Sequence, residues 1–332
     1  MLTKRGMKTE RNIANIYFLL LMLLMWGINF LPIDILGVIV DNLVLNSVIS
    51  ELLIAAPALL MAGIWYVIQS HKAASTEGYE AVPLSDRLMY RAVKPSTILM
   101  TFVYTLMIMP VITLCNVITM QFVDNTILEL SGDILDMSIP TAIFTMAVLP
   151  PFCEELAFRG VVYGGYRRAC RPLASVLMSA LLFGLMHGNI NQFAYAFVIG
   201  IAMALLVEAT GSIWPSVLMH ALINSRTVLA MFVLDHLYTG LFEELLEGDM
   251  KEAVGSTSAL TVIVYVLLSV ITLLMAGGII SWISGNEGRT NPLKSIRNNK
   301  LFKEKRITVW SVSLVLGILA AVALVIITEM LT

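Results

Sequence analysis

The chain has 332 residues, of which 58% are hydrophobic and 13% charged, with a formal net charge of -2 and a mean hydropathy of +0.85. So apolar a composition excludes a soluble globular domain and a nucleic-acid binder; it indicates an all-α polytopic membrane protein embedded in the lipid bilayer. Cys115, Cys153 and Cys170 show no CxxC spacing, which excludes a disulfide framework and a thiolate metal site.

The first apolar run, Ile13 to Leu31, follows Lys4, Arg5, Lys8 and Arg11. No small-residue cleavage site follows it, so it reads as a retained anchor rather than a signal peptide. Windows long enough to cross about 30 Å of hydrocarbon fall at 13–31, 48–68, 96–120, 137–166, 172–188, 192–209, 212–234, 258–283 and 308–328. That predicts about nine transmembrane helices. Lys and Arg concentrate before span 1, between spans 2 and 3, between 4 and 5, and between 8 and 9. The complementary connections carry acids: Asp34, Asp41 and Glu51; Asp124, Glu129, Asp133 and Asp136; Asp235, Glu243, Glu244, Glu247, Asp249 and Glu252. By the positive-inside rule the amino terminus is cytoplasmic and the carboxyl terminus external.

Spans 5 and 6 are short, and Gly188-Asn189-Ile190-Asn191 between them reads as a tight turn. Between spans 7 and 8, Leu237, Leu241, Leu245 and Leu246 recur at helical spacing among Glu243, Glu244 and Glu247, the pattern of an amphipathic helix at the outer interface. The basic 289–306 segment suits contact with anionic lipid. The organisation expected is a scaffold at 1–136 (spans 1–3), a four-helix core at 137–235 (spans 4–7), and 236–332 holding the interfacial helix and spans 8 and 9.

Span 4 contains the most informative run of the chain, Cys153-Glu154-Glu155-Leu156-Ala157-Phe158-Arg159-Gly160. Three charges at a helix centre cost about 7 to 10 kcal/mol before pairing, so the membrane interior must compensate them. Two of the four histidines, His187 and His220, also lie within spans. A lone membrane histidine more often bridges helices than does chemistry, but depth changes that balance. Counted from Arg167 and Pro172, Glu154 and His187 lie about 20 and 22 Å into the membrane, and His220 and Asn224 about 13 and 20 Å along span 7. One slab reached from the cytoplasmic side thus receives a carboxylate, two imidazoles and a carboxamide. That set suits hydrolysis: a desolvated glutamate as general base, imidazoles to bind a metal or polarise a carbonyl, and an amide for the oxyanion. Glu155 and Arg159, at i and i+4, pair, leaving Glu154 as the catalytic candidate. The sequence leaves open which glutamate faces the cavity. Pro150 and Pro151, one turn away, release backbone carbonyls and bend the axis. Gly160, Gly164, Gly184 and Gly188 read as sites of close helix approach.

These residues resemble the CPBP family of intramembrane proteases, which includes the CAAX prenyl endopeptidases and the bacteriocin-processing and immunity proteins called Abi. Its motifs EExxxR, FxxxH and HxxxN appear in order as Glu154 to Arg159, Phe183 to His187 and His220 to Asn224. The resemblance covers about residues 137 to 235. It implies an endopeptidase in which Glu154 activates water, His187 and His220 hold a metal or position the water, Asn224 helps stabilise the oxyanion, and Glu155 and Arg159 support the site. Zinc held by Glu154, His187 and His220 is the metal that the resemblance implies, with no organic cofactor. The partner implied is a membrane-associated peptide or protein substrate, in a bacterial plasma membrane for the immunity branch. The alternative class is a non-catalytic immunity or scaffold protein of the same fold that binds rather than cleaves its target. A transporter would show internal repeats and paired broken helices, which the sequence lacks.

Overall fold

A computed structural model describes residues 3–30, 43–75, 81–123, 125–237, 259–298 and 306–331. Within them the long elements are α1 (Lys4–Phe30), α2 (Leu43–Ser75), α3 (Pro95–Thr119), α4 (Ile139–Ala169), α5 (Pro172–Met186), α6 (Ile190–Thr210), α7 (Trp214–Leu237), α8 (Ala259–Asn286) and α9 (Val312–Leu331). A single isolated β-bridge, Cys170 to Ile307, interrupts the helical pattern among the described residues. The protein is an all-helical polytopic membrane protein.

Among the described residues, eight of these helices are long and apolar enough to cross a membrane, and α5 is the exception. Its fifteen residues extend about 22 Å at 1.5 Å per residue, short of about 30 Å of hydrocarbon. The sequence suggests nine crossings because the apolar run continues through the turn. Gly188 stops α5 with φ of 71°, in the left-handed region that suits glycine. The side chain of Asn189 then caps α6, accepting from Gln192 N at 2.8 Å. Gly188 therefore serves the turn rather than a helix approach. At Gly184 the close approach is real, since a Cβ there would sit 3.1 Å from the Phe193 carbonyl oxygen; at Gly200 a Cβ would sit 2.9 Å from Ala180 Cα. The backbones of α5 and α6 touch.

The most enclosed spans are α4 and α6, and the most exposed are α2, α8 and α9. Helix α4 packs against α1, α2, α5 and α7, while α8 lies on α3 and α9 on α1. Leu237, the first leucine of the expected interfacial helix, ends α7; the rest of that helix, with Glu243 and Glu244, lies outside the described residues, as do Asp34, Asp41 and Asp124. Glu51, which the charge pattern assigns to a connection, lies inside α2 and is buried. Its helix begins at Leu43, so it stands on the third turn.

Basic groups gather at one end of the bundle. Glu10 at the start of α1 pairs with Arg87 at 2.9 Å and Arg168 at 3.0 Å. Glu208 near the end of α6 pairs with Arg167 at 2.6 Å and accepts from Tyr163 Oη at 2.6 Å. Arg87 lies over the Trp65 ring at 3.7 Å, and burial together with neighbouring Arg168 lowers its pKa to about 10. These clamps tie α1, α4 and α6 together beyond the hydrophobic packing.

Candidate active site

Helix α4 is α-helical over Leu149–Glu155 and π-helical on both sides, over Phe144–Val148 and Leu156–Tyr163. Prolines explain the upstream break. A helical carbonyl accepts from the N–H four residues on, or five in a π turn. For Met146 those residues are Pro150 and Pro151, and neither has an N–H to give. The orphaned Met146 oxygen accepts instead from Asn224 Nδ2 of α7 at 3.0 Å. Wide turns of this kind re-aim the side chains they flank and recur at functional sites, and here they bracket Glu154 and Glu155.

Glu155 is fully buried and makes two contacts. Arg159 Nε lies 3.1 Å from its Oε2, the i, i+4 pair that the sequence predicts, and His220 Nδ1 lies 3.3 Å from its Oε1. Ser216, one turn before His220, lies beside the same carboxylate while donating to Ile213 O at 2.8 Å. Nδ1 is the ring nitrogen of His220 that faces this carboxylate.

Phe183 joins the three motifs. Its ring meets those of His187 at 5.1 Å and His220 at 5.7 Å, both edge-on, and Phe158 at 5.3 Å. The Arg159 guanidinium lies over its face at 4.6 Å. Counted along their helices, His187 is about 22 Å from the start of α5 and His220 about 9 Å from the start of α7. Phe183, one turn before His187, is the ring at which the two imidazoles meet. His187 Nδ1 faces Phe183 O at 2.9 Å; a carbonyl only accepts, so Nδ1 is the donor and Nε2 is left as the acceptor. Asn224 commits one amide N–H to Met146 O, leaving the second for other partners.

Glu154 is 8% exposed, and its Oε2 has no hydrogen-bond partner. Among the described residues no ion pair or hydrogen bond joins it to His187, His220 or Asn224. Its electrostatic neighbours are Glu51 of α2, Glu155 and Arg159, with Tyr17, Cys153 and Tyr195 also within reach. The two glutamates thus face different ways, Glu155 toward Arg159 and His220, and Glu154 toward Glu51. Spacing within the motifs signals the first direction. Nothing in the sequence signals the second, because Glu51 lies about one hundred residues upstream. The metal set implied by the resemblance does not converge: among the described residues no three His, Cys, Asp or Glu side chains group closely enough to hold a metal ion. Arg226, two residues past Asn224, is exposed.

This constellation lies within a segment with known relatives. Residues 136–226 match the family model described as type II CAAX prenyl endopeptidase Rce1-like. Over 98 residues the chain is 26% identical to the Bacillus subtilis (strain 168) protein named "Putative membrane peptidase YdiL", a match covering 29% of this chain and 40% of that protein. No solved structure matches. The matched segment holds all three motifs and runs from the start of α4 into α7, leaving α1, α2, α3, α8 and α9 outside. On these grounds residues 136–226 are a domain of the Rce1-like CAAX prenyl endopeptidase family.

Proposed function

We propose that the protein is an intramembrane endopeptidase that hydrolyses a peptide bond of a membrane-associated peptide or protein, with Glu154 as the base that activates water. The observation that carries this reading is the convergence on Phe183. Imidazoles from two helices meet one ring, with Arg159 over it and Glu155 joining Arg159 to His220. Buried beside this cluster, Glu154 Oε2 has neither a hydrogen-bond partner nor an ion pair, which leaves it open to accept a proton from water.

The steps follow from donor and acceptor roles. Glu154 takes a proton from water as the water oxygen bonds to the carbonyl carbon, and the carbonyl π pair moves onto oxygen. His187 offers the Nε2 lone pair to the second water proton or to the departing amine's N–H. The remaining N–H of Asn224 is the group suited to the oxyanion. Collapse of the intermediate breaks the C–N bond, and the proton held by Glu154 passes to the leaving nitrogen. Glu155 fixes the His220 ring, as a carboxylate behind an imidazole does in other hydrolases. Since the three zinc-type donors do not converge, no step is routed through a metal.

The test is cleavage of quenched fluorescent peptides, prenylated and unmodified, by purified protein in lipid nanodiscs. Glu154→Gln is expected to lower kcat by about 10²- to 10⁴-fold, the range for removal of a general base, and His187→Ala and His220→Ala to lower it as well. Equal activity in all four proteins would refute the site. Activity is expected to survive a chelator; loss on chelation with recovery on zinc would refute the metal-free route.

A further inference from the structure

We propose that Glu51, on α2 and outside the family-matched segment, is a positioning residue of this site: its carboxyl stands beside that of Glu154, and the two together hold the attacking water. This rests on the reading of Glu154 as the base. Glu51 is 7% exposed, and its Oε2, like that of Glu154, has no hydrogen-bond partner. Helix α2 packs on the Leu149–Glu155 stretch of α4, bringing the two carboxyls within electrostatic reach of each other. Cys153 and Tyr17 lie within reach of both.

Among the described residues neither carboxyl forms an ion pair as Glu155 does with Arg159, although the Arg159 charge also reaches Glu154. Among the described residues Glu51 makes no ion pair, and the Tyr17 hydroxyl, which is near enough to serve, donates to Ile54 O at 2.8 Å. Two acidic groups with bare oxygens in a lipid-enclosed core are costly, and a leucine would fill the same space without that penalty. What the pair offers is two acceptors side by side. Water has two O–H donors, so one molecule can give a hydrogen bond to each carboxyl and turn its lone pair toward a peptide carbonyl. When the O–C bond forms, the proton facing Glu154 transfers to it, and the proton facing Glu51 stays on the new hydroxyl. Glu51 therefore changes no bond. It fixes the direction of attack, and misplacement by about 1 Å costs on the order of 10²-fold in rate.

The experiment compares Glu51→Leu, Glu51→Gln and Glu154→Gln with wild type in the same nanodisc assay, with thermal unfolding alongside. Glu51→Leu is expected to lower kcat about 10²-fold while KM changes less than about threefold, because the lost contact is to water and not to peptide. Glu51→Gln, whose amide oxygen still accepts, is expected to fall between. Both variants are expected to melt at or above the wild-type temperature. Wild-type kcat in Glu51→Gln and Glu51→Leu, with Glu154→Gln inactive, overturns the role of Glu51 and leaves the protease reading standing. A KM rise at unchanged kcat also overturns it. If wild type cleaves no peptide, the protease reading fails and the pair is judged on unfolding alone. The double variant Glu51→Gln/Glu154→Gln should then shift the melting temperature by less than the two single shifts together. Full additivity shows that the two carboxyls do not act as one unit.

Discussion

Asn224 illustrates how one residue can look catalytic by spacing and also answer a backbone problem. In lipid an unpaired carbonyl costs several kcal/mol, and Pro150 and Pro151 leave Met146 O without a helical donor. The Asn224 amide replaces it at 3.0 Å. Asn224→Ala is accordingly expected to destabilise the protein by about 1 to 3 kcal/mol, measured by reversible denaturation in mixed micelles. Pro150→Ala returns an N–H to the helix, so the same Asn224→Ala change made in that background should cost less. Equal cost in both backgrounds would separate the asparagine from the prolines. The motif residues and the Glu155–Arg159 pair were legible in the sequence because i, i+4 spacing on a helix is a geometric statement. The link from Asn224 to Met146 was not, since it depends on which way α7 turns toward α4. Glu51 was misread as a connection acid because a charge eight residues inside a helix with Asn46, Ser47 and Ser50 beside it resembles a polar boundary.

At the scale of the element, long helices were easy to place and their irregularities were not. A span that is apolar at nearly every position has no periodicity against which a slipped turn shows, so the π segments at Phe144–Val148 and Leu156–Tyr163 leave little trace beyond the prolines. The short α5 was similarly masked by apolar residues running through the turn. Its brevity has a consequence for the site, because α5 holds Phe183 and ends at His187. It lacks the length to be fixed by the bilayer alone and depends on α6, against which it packs along its length. Gly200 is the contact that permits this. A Cβ at that position would come within 2.9 Å of Ala180 Cα and 3.1 Å of its Cβ, so the crossing must open. Gly200→Ala is expected to lower stability by about 1 to 3 kcal/mol, the usual cost of overpacking. Because the opened crossing displaces the Phe183–His187 turn, kcat should fall as well. Retention of both melting temperature and kcat would show that α5 holds its place without α6.

Over the whole molecule, the basic clamps give a second argument for the path of the chain, independent of counting crossings. Glu10 near the start of α1, Arg87 before α3 and Arg168 at the end of α4 meet in one cluster. Glu208 near the end of α6 meets Arg167 at the end of α4, and Arg289, just past α8, donates to Glu208 O at 3.2 Å. Arg306, just before α9, donates to Arg168 O. Ser212 and Ile213, just before α7, bond to Arg91 O and Met89 O. The starts of α1, α3, α7 and α9 and the ends of α4, α6 and α8 therefore share one face. Since α5 begins beside the end of α4 and α6 returns to the same face, the α5–α6 hairpin is a round trip whether or not α5 spans the full bilayer. Thr3 and Met330 consequently lie at opposite ends of the bundle, and the positive-inside rule predicts that the basic end, with Thr3, faces the cytoplasm. Thr3→Cys and Met330→Cys, placed singly in a chain whose native cysteines are replaced by alanine, are expected to differ. A membrane-impermeant maleimide added to intact cells should label only Met330→Cys, and permeabilisation should expose Thr3→Cys. Labelling of both positions in intact cells, or of neither, would contradict the round trip; labelling of Thr3→Cys alone would invert the orientation and open the site's basic face to the exterior.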